Sequence, residues 1–132
     1  MSIDLTMLTY TAVLTSLLWL PYIGALFVKA GILPVLTYAA DATPLPEWAA
    51  RLKKAHYNAV ENLVVFAVAV LVAHVTGSAN EATAMAATIY FWSRAAHFVL
   101  YAAGVPFGRT LSFSAGWAAT LWIFWEILTA AV

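Results

Sequence analysis

The stretch from Leu5 to Val28, LTMLTYTAVLTSLLWLPYIGALFV, holds 24 residues without a charge between Asp4 and Lys29. A helix crossing a hydrocarbon core of ~30 Å needs about 20 mainly apolar residues, so this run is long enough to span a bilayer. Three more runs follow. Residues 55–80 are interrupted only by Glu61, residues 82–108 only by Arg94, and residues 110–132 only by Glu126. A bilayer interior admits helices or closed barrels, and runs of this length are not the roughly ten-residue alternation of a barrel strand. The expectation is an all-α integral membrane protein: a single domain, 1–132, of four antiparallel transmembrane helices at approximately 5–28, 46–75, 79–103 and 109–131.

Composition agrees. Hydrophobic residues make up 64% of the 132 and charged residues 9%, with a mean hydropathy of +0.89. A soluble domain carries about 25% charged residues, so this chain lacks the means to cover a water-facing surface. Six Lys+Arg balance six Asp+Glu, which removes the basic footprint of a nucleic-acid binder. With no cysteine there is no disulfide framework, thiolate metal site or cysteine nucleophile. No ligand set at helical spacing points to a metal, and His74, closing the second helix, reads as an interfacial residue.

The N-terminus is not built like a secretory signal: Met1-Ser2-Ile3-Asp4 is acidic, and the apolar run is too long. The first helix is therefore expected to be retained, with a kink near Pro21. Pro46-Glu47-Trp48 reads as a helix first turn. Gly77 suits a helix stop, and Ser78 with Glu81 resembles a capping box. Lys29, Arg51, Lys53 and Lys54 fall in the first connection and Arg109 follows the third, whereas the second connection and the N-terminus have no Lys or Arg. The positive-inside rule then directs both termini away from the cytoplasm.

Two polar stripes interrupt the apolar pattern. Arg51, Lys54, Asn58 and Glu61 follow 3-4-3 spacing on the second helix; Tyr90, Arg94, His97 and Tyr101 follow 4-3-4 spacing on the third. Glu61 and Arg94 lie inside apolar runs, where an unpaired charge costs several kcal/mol, so such residues face the bundle interior or a wet cavity. One reading is a Glu61–Arg94 ion pair that sets helix register. The other is a polar pocket for an anionic or zwitterionic ligand, with His56 at its mouth. Glu126, among Trp117, Trp122 and Trp125, reads as an acid snorkelling to an aromatic belt or capping a contact between subunits.

At these stripes the chain resembles a known family. Lys54-Ala55-His56-Tyr57-Asn58-Ala59-Val60-Glu61-Asn62 resembles the second-helix signature R-A-x-x-N-x-x-E of the MAPEG family, the membrane-associated proteins of eicosanoid and glutathione metabolism. Arg94-Ala95-Ala96-His97-Phe98-Val99-Leu100-Tyr101 resembles its third-helix signature R-x-x-[HY]-x-x-x-Y, with the histidine of the prostaglandin E synthase branch. The Gly104 to Phe113 stretch is similar to a bacterial variant akin to microsomal glutathione transferase, which implies a bacterial inner-membrane location.

The resemblance implies a homotrimer among membrane lipids, with glutathione as co-substrate and a lipophilic electrophile as second substrate, in transferase or peroxidase chemistry. Carried over, Asn58, Glu61, Arg94, His97 and Tyr101 bind glutathione, with Lys54 in place of the family arginine. Arg109 stabilises the thiolate. Lys29, Tyr90 and Arg51 complete the expected contacts. The resemblance equally admits a non-catalytic lipid-binding or scaffold protein of the same fold. The charge count suits glutathione, which carries two carboxylates, an ammonium and a thiol: Lys54, Arg94 and Arg109 stand against Glu61. A thiol near its ordinary pKa of about 8.5 is mostly protonated at neutral pH, and a guanidinium beside it favours the thiolate.

Overall fold

The computed structural model describes residues 1–130, and every regular element among them is helical. Helices α1 (Ile3–Leu17) and α2 (Trp19–Ala30) form one rod broken at Leu18. A short α3 (Ile32–Leu36) and a 3₁₀ turn (Tyr38–Ala40) lead to the long α4 (Glu47–Val75), then α5 (Glu81–Ala103) and α6 (Pro106–Ala130). Residue 131, expected inside the last helix, lies outside the described residues.

The break at Leu18 is one turn before the expected kink at Pro21. Proline lacks an N–H and its ring crowds the carbonyl four residues back, which here belongs to Leu17. The helix therefore ends at Leu17, with Leu18 N–H turned to Thr15 O at 3.3 Å.

Interhelical bonds set the directions. Arg51 Nε, near the start of α4, donates to Ala102 O, near the end of α5, at 2.9 Å. At the opposite end, Asn80 Nδ2, preceding α5, donates to Glu126 Oε2 of α6 at 2.8 Å, and Thr83 Oγ1 donates to the buried Asp4 Oδ2 of α1 at 2.8 Å. Helices α4, α5 and α6 thus alternate in direction. Glu126, which also accepts from Trp122 Nε1 at 3.2 Å, ties α5 to α6 within the chain.

The turns follow from local chemistry. Gly104 takes φ +76°, a left-handed conformation that suits glycine, and Val105 N–H closes on Leu100 O at 2.9 Å. That turn lets α6 start at Pro106, a proline in a first turn where its missing N–H is no loss, rather than at Arg109 as expected. Between α4 and α5, the N–H groups of Ser78 and Ala79 both return to Ala73 O, so the turn off α4 is not complete until Asn80. The capping box is accordingly Asn80 with Thr83 instead of Ser78 with Glu81.

Three rods have the length and apolarity to cross a membrane: Ile3–Ala30, Glu47–Val75 and Pro106–Ala130. The 23 residues of α5 rise ~35 Å, enough to cross, but the helix holds no continuous stretch as apolar as those of the three rods. Its polar residues point inward: Thr83, Tyr90, Ser93, Arg94 and His97 are all buried against α1, α4 and α6. Its alanines, among them Ala86 and Ala87, allow that close approach.

The core has two apolar parts. One gathers Phe66, Val70, Tyr90 and Ile123, with Phe66 and Tyr90 stacked at 3.7 Å between centroids. The other gathers Leu18, Tyr22, Leu52 and Phe98. Arg94 lies on α5 one turn after Tyr90 and one turn before Phe98, so the polar layer separates the two.

Gly116 admits Arg94 to this layer. A Cβ there would stand 2.8 Å from Ser93 Oγ and 3.3 Å from Arg94 Cδ. The Ser93 hydroxyl has little room to yield, being bonded to Tyr90 O at 2.8 Å. Gly116→Val is expected to push α6 off α5 and destabilise the protein by about 1–3 kcal/mol, the usual range for overpacking. Thermal unfolding in detergent measures this, and an unchanged melting temperature contradicts the close-packing account.

Candidate functional site

Arg94 is 1% exposed, and its Nη2 donates to Asn58 Oδ1 of α4 at 2.6 Å. The guanidinium carbon lies 5.8 Å from the ring centroids of both Phe98 and Phe113. No carboxylate answers it: among the described residues the ion pair is Arg51–Glu47, at 3.5 Å. The register-setting Glu61–Arg94 pair is therefore not formed. Asn58 occupies the position facing Arg94, and Glu61, offset by ~60° around the helix one turn on, is exposed. A buried guanidinium held by a neutral amide leaves donor capacity over, and Arg94 Nε is buried without a partner among the described residues.

His97, 2% exposed, sits one turn further along the same face. Its Nδ1 lies 3.1 Å from the backbone carbonyl of Arg109 and 3.4 Å from Ser112 Oγ. A carbonyl only accepts, so in the neutral ring Nδ1 carries the proton and Nε2 is an acceptor. Nε2 is buried and has no partner among the described residues. This clasp pins the first turns of α6 to α5, and it sets where the Arg109 side chain departs. The Arg109 guanidinium stacks over the Tyr101 ring at 4.9 Å, and Tyr101 meets His97 edge-on at 5.4 Å. Stacking of this kind holds a guanidinium without consuming its N–H donors.

These groups border an open cavity of about 240 Å³, lined by Asn58, His97, Tyr101, Arg109, Thr110 and Phe113. A recess of about 200 Å³ shares Tyr101 and Arg109 with it and adds Arg51. Asn58, His97, Tyr101 and Arg109 are thus brought together as the stripes suggested, with Arg94 directly behind Asn58 and Arg51 at the recess. Lys54 and Glu61 are exposed on the same flank of α4 and do not line either cavity. Tyr90 is spent on Phe66 in the core, and Lys29 donates to Pro44 O at 2.6 Å, which ties α2 to its connection. His56 faces α2, where its Nδ1 lies 2.8 Å from Tyr22 OH.

Thr110 and Phe113 are lining residues that the stripes did not contain. Their signal is positional. Residues 109, 110 and 113 share one face of α6 by helical spacing, but with an arginine, a threonine and a phenylalanine that face carries no polar stripe to single it out.

The sequence model of the MAPEG family matches residues 7–129, nearly the whole chain. The chain belongs to the MAPEG family. No curated protein sequence and no solved structure gave a match. The MAPEG family includes glutathione transferases and related proteins and is generally associated with glutathione. The wall of this MAPEG chain, with Arg51 and Arg109 lining it and Arg94 behind Asn58, is suited to a ligand that carries carboxylates.

Proposed function

We propose that this protein is a membrane-embedded, glutathione-dependent enzyme of transferase or peroxidase type that acts on lipophilic electrophiles. In this reading α5 is the fourth transmembrane helix, its polar face covered by neighbours and its apolar face turned to lipid. Three copies assemble in a bacterial inner membrane with both termini away from the cytoplasm. The observation that carries the proposal is the Arg109 guanidinium, stacked on Tyr101 at the edge of a cavity lined by Asn58, His97 and Thr110.

Glutathione supplies the sulfur nucleophile. Arg51 attracts its carboxylates at the recess, with the Arg94 charge behind Asn58, while the Asn58 amide and the His97 ring line the wall. Glu61, on the exposed flank of α4, is placed to meet the ammonium. Arg109 favours the thiolate by bringing a permanent positive charge to the sulfur, and Thr110 adds a hydroxyl to the same wall. In the transferase reaction the thiolate forms a C–S bond with the electrophilic carbon, and the leaving group departs with its electron pair. Tyr101 acts indirectly, by fixing the plane of Arg109.

Calorimetric titration of glutathione into the detergent-solubilised protein tests the co-substrate. Glu61→Gln is expected to weaken binding about tenfold, the worth of one charge-assisted contact. Equal, weak binding by both proteins overturns the assignment.

A further inference from the structure

A second cavity, of about 380 Å³, lies beneath the connection between α2 and α4 and shares no lining residue with the cavity at Asn58 and Arg109. Its size is within the usual range for small-molecule sites, which begins at about 300 Å³. Ile23 and Leu26 of α2 form its deeper wall. They precede Lys29 by six and three residues, so they lie ~9 and ~4.5 Å below the end of the span at 1.5 Å per residue. Val35 and Leu45 continue the apolar lining, while Asp41 of the connection and Lys53 of α4 add one acid and one base.

These two charges line one cavity yet do not close on each other, and neither forms an ion pair among the described residues. Lys53 Nζ lies instead 5.7 Å over the Tyr57 ring. Opposite charges held apart over an apolar floor complement a ligand that carries both signs at one end and hydrocarbon at the other. The connection roofing the cavity adds a second observation. Val28 (90% exposed), Ile32, Leu33, Leu36 and Tyr38 (91% exposed) leave a continuous apolar surface at the end of a membrane-crossing rod. Such a surface, with a tyrosine at its margin, belongs in the lipid headgroup region, so the cavity borders lipid at headgroup depth.

We propose that this cavity is a phospholipid site selective for a zwitterionic headgroup with a protonated amine, as in phosphatidylethanolamine. Lys53 takes the phosphate, Asp41 takes the ammonium, and the glycerol end runs down Ile23 and Leu26 while the tails remain in the bilayer. Phosphatidylglycerol brings no ammonium to Asp41. Phosphatidylcholine brings one without N–H donors. The site is independent of the glutathione chemistry.

Native mass spectrometry of the full chain tests this, after incubation in detergent with equal amounts of the three phospholipids bearing identical acyl chains. The expected result is one phosphatidylethanolamine retained per chain, about tenfold over either competitor, in line with one charge-assisted hydrogen bond. Lys53→Gln lowers that retention about tenfold, and Asp41→Asn brings phosphatidylethanolamine down to the level of phosphatidylglycerol. Glutathione binding measured on the same samples stays at the wild-type value. Equal retention of the three headgroups by the wild-type protein overturns the proposal, as does an unaltered preference in both variants. Where a variant does not fold, the wild-type headgroup comparison alone decides.

Discussion

Arg109→Ala should lower the turnover of an aryl halide with glutathione by about 100-fold, the usual effect of removing one donor aimed at a developing or resting anion. Arg109 is exposed at the cavity edge and bonds to the fold through its backbone, whose carbonyl meets His97 and whose N–H meets Val105 O at 3.2 Å. The alanine variant retains those backbone bonds, so folding is preserved and the loss falls on the chemistry. The pH profile separates this from a simple binding defect. A thiol whose pKa is lowered by the guanidinium is ionised at neutral pH, and kcat/KM in the wild type reaches its plateau there. Without the guanidinium the rising limb moves up towards the ordinary thiol pKa of about 8.5, so the variant regains activity as pH increases. Arg109→Lys, which retains the charge but not the planar stack on Tyr101, falls between the two. A variant with the wild-type pH profile removes Arg109 from thiolate stabilisation.

The second large effect is expected at the Asn58–Arg94 pair. Asn58→Ala leaves the Arg94 guanidinium in the core without the acceptor 2.6 Å from Nη2, and burying an unpaired charge is costly. The expected loss is about 1.5–3 kcal/mol, the range for deleting a hydrogen bond to a charged group, seen as a fall in melting temperature. Arg94→Met removes the charge and retains most of the packing volume against Phe98 and Phe113, so stability should change little. Glutathione affinity, by contrast, should fall in Arg94→Met by about tenfold, because Asn58 loses the guanidinium that orients its amide at the cavity wall and the wall loses a positive charge behind it. The pair thus dissociates stability from binding. Equal melting temperatures for Asn58→Ala and Arg94→Met contradict the placement of an unpaired cation in the core.

Much of this was legible in the residues, and the failures have physical causes. Uncharged runs such as Leu5 to Val28 marked the rods, because burial in lipid tolerates few charges at any helical position. The stripe on α5 identified Arg94, His97 and Tyr101 because 3–4 residue spacing alone places them on one face. Tyr90 obeys the same spacing, but one turn earlier that face meets Phe66 instead of a cavity. Spacing gives the side of a helix and not the depth at which a neighbour changes from polar to apolar. Glu61 and Arg94 have opposite charges at matching depths, yet the azimuth of α4 brings Asn58 to the guanidinium. That azimuth follows the apolar residues α4 buries, among them Phe66 stacked on Tyr90 and Leu52 in the cluster with Phe98, rather than its polar stripe.

The turn before α6 shows the same limit. Pro106 in a first turn and Gly104 in a left-handed cap together start the helix three residues before Arg109. The extra turn places the Arg109 carbonyl inside the helix, where it meets His97, and Thr110 and Phe113 follow on the cavity wall. A backbone contact of 3.1 Å with His97 of the adjacent helix positions the first turns of α6 and with them Arg109.

The central claim is a bound glutathione thiolate held by this wall. Mixing glutathione with the detergent-solubilised protein at neutral pH and recording the difference spectrum at about 240 nm, where a thiolate absorbs and a thiol does not, tests it most directly. The account predicts a saturable rise that is lost in Arg109→Ala; saturable binding with no rise, or a rise that persists in that variant, contradicts it.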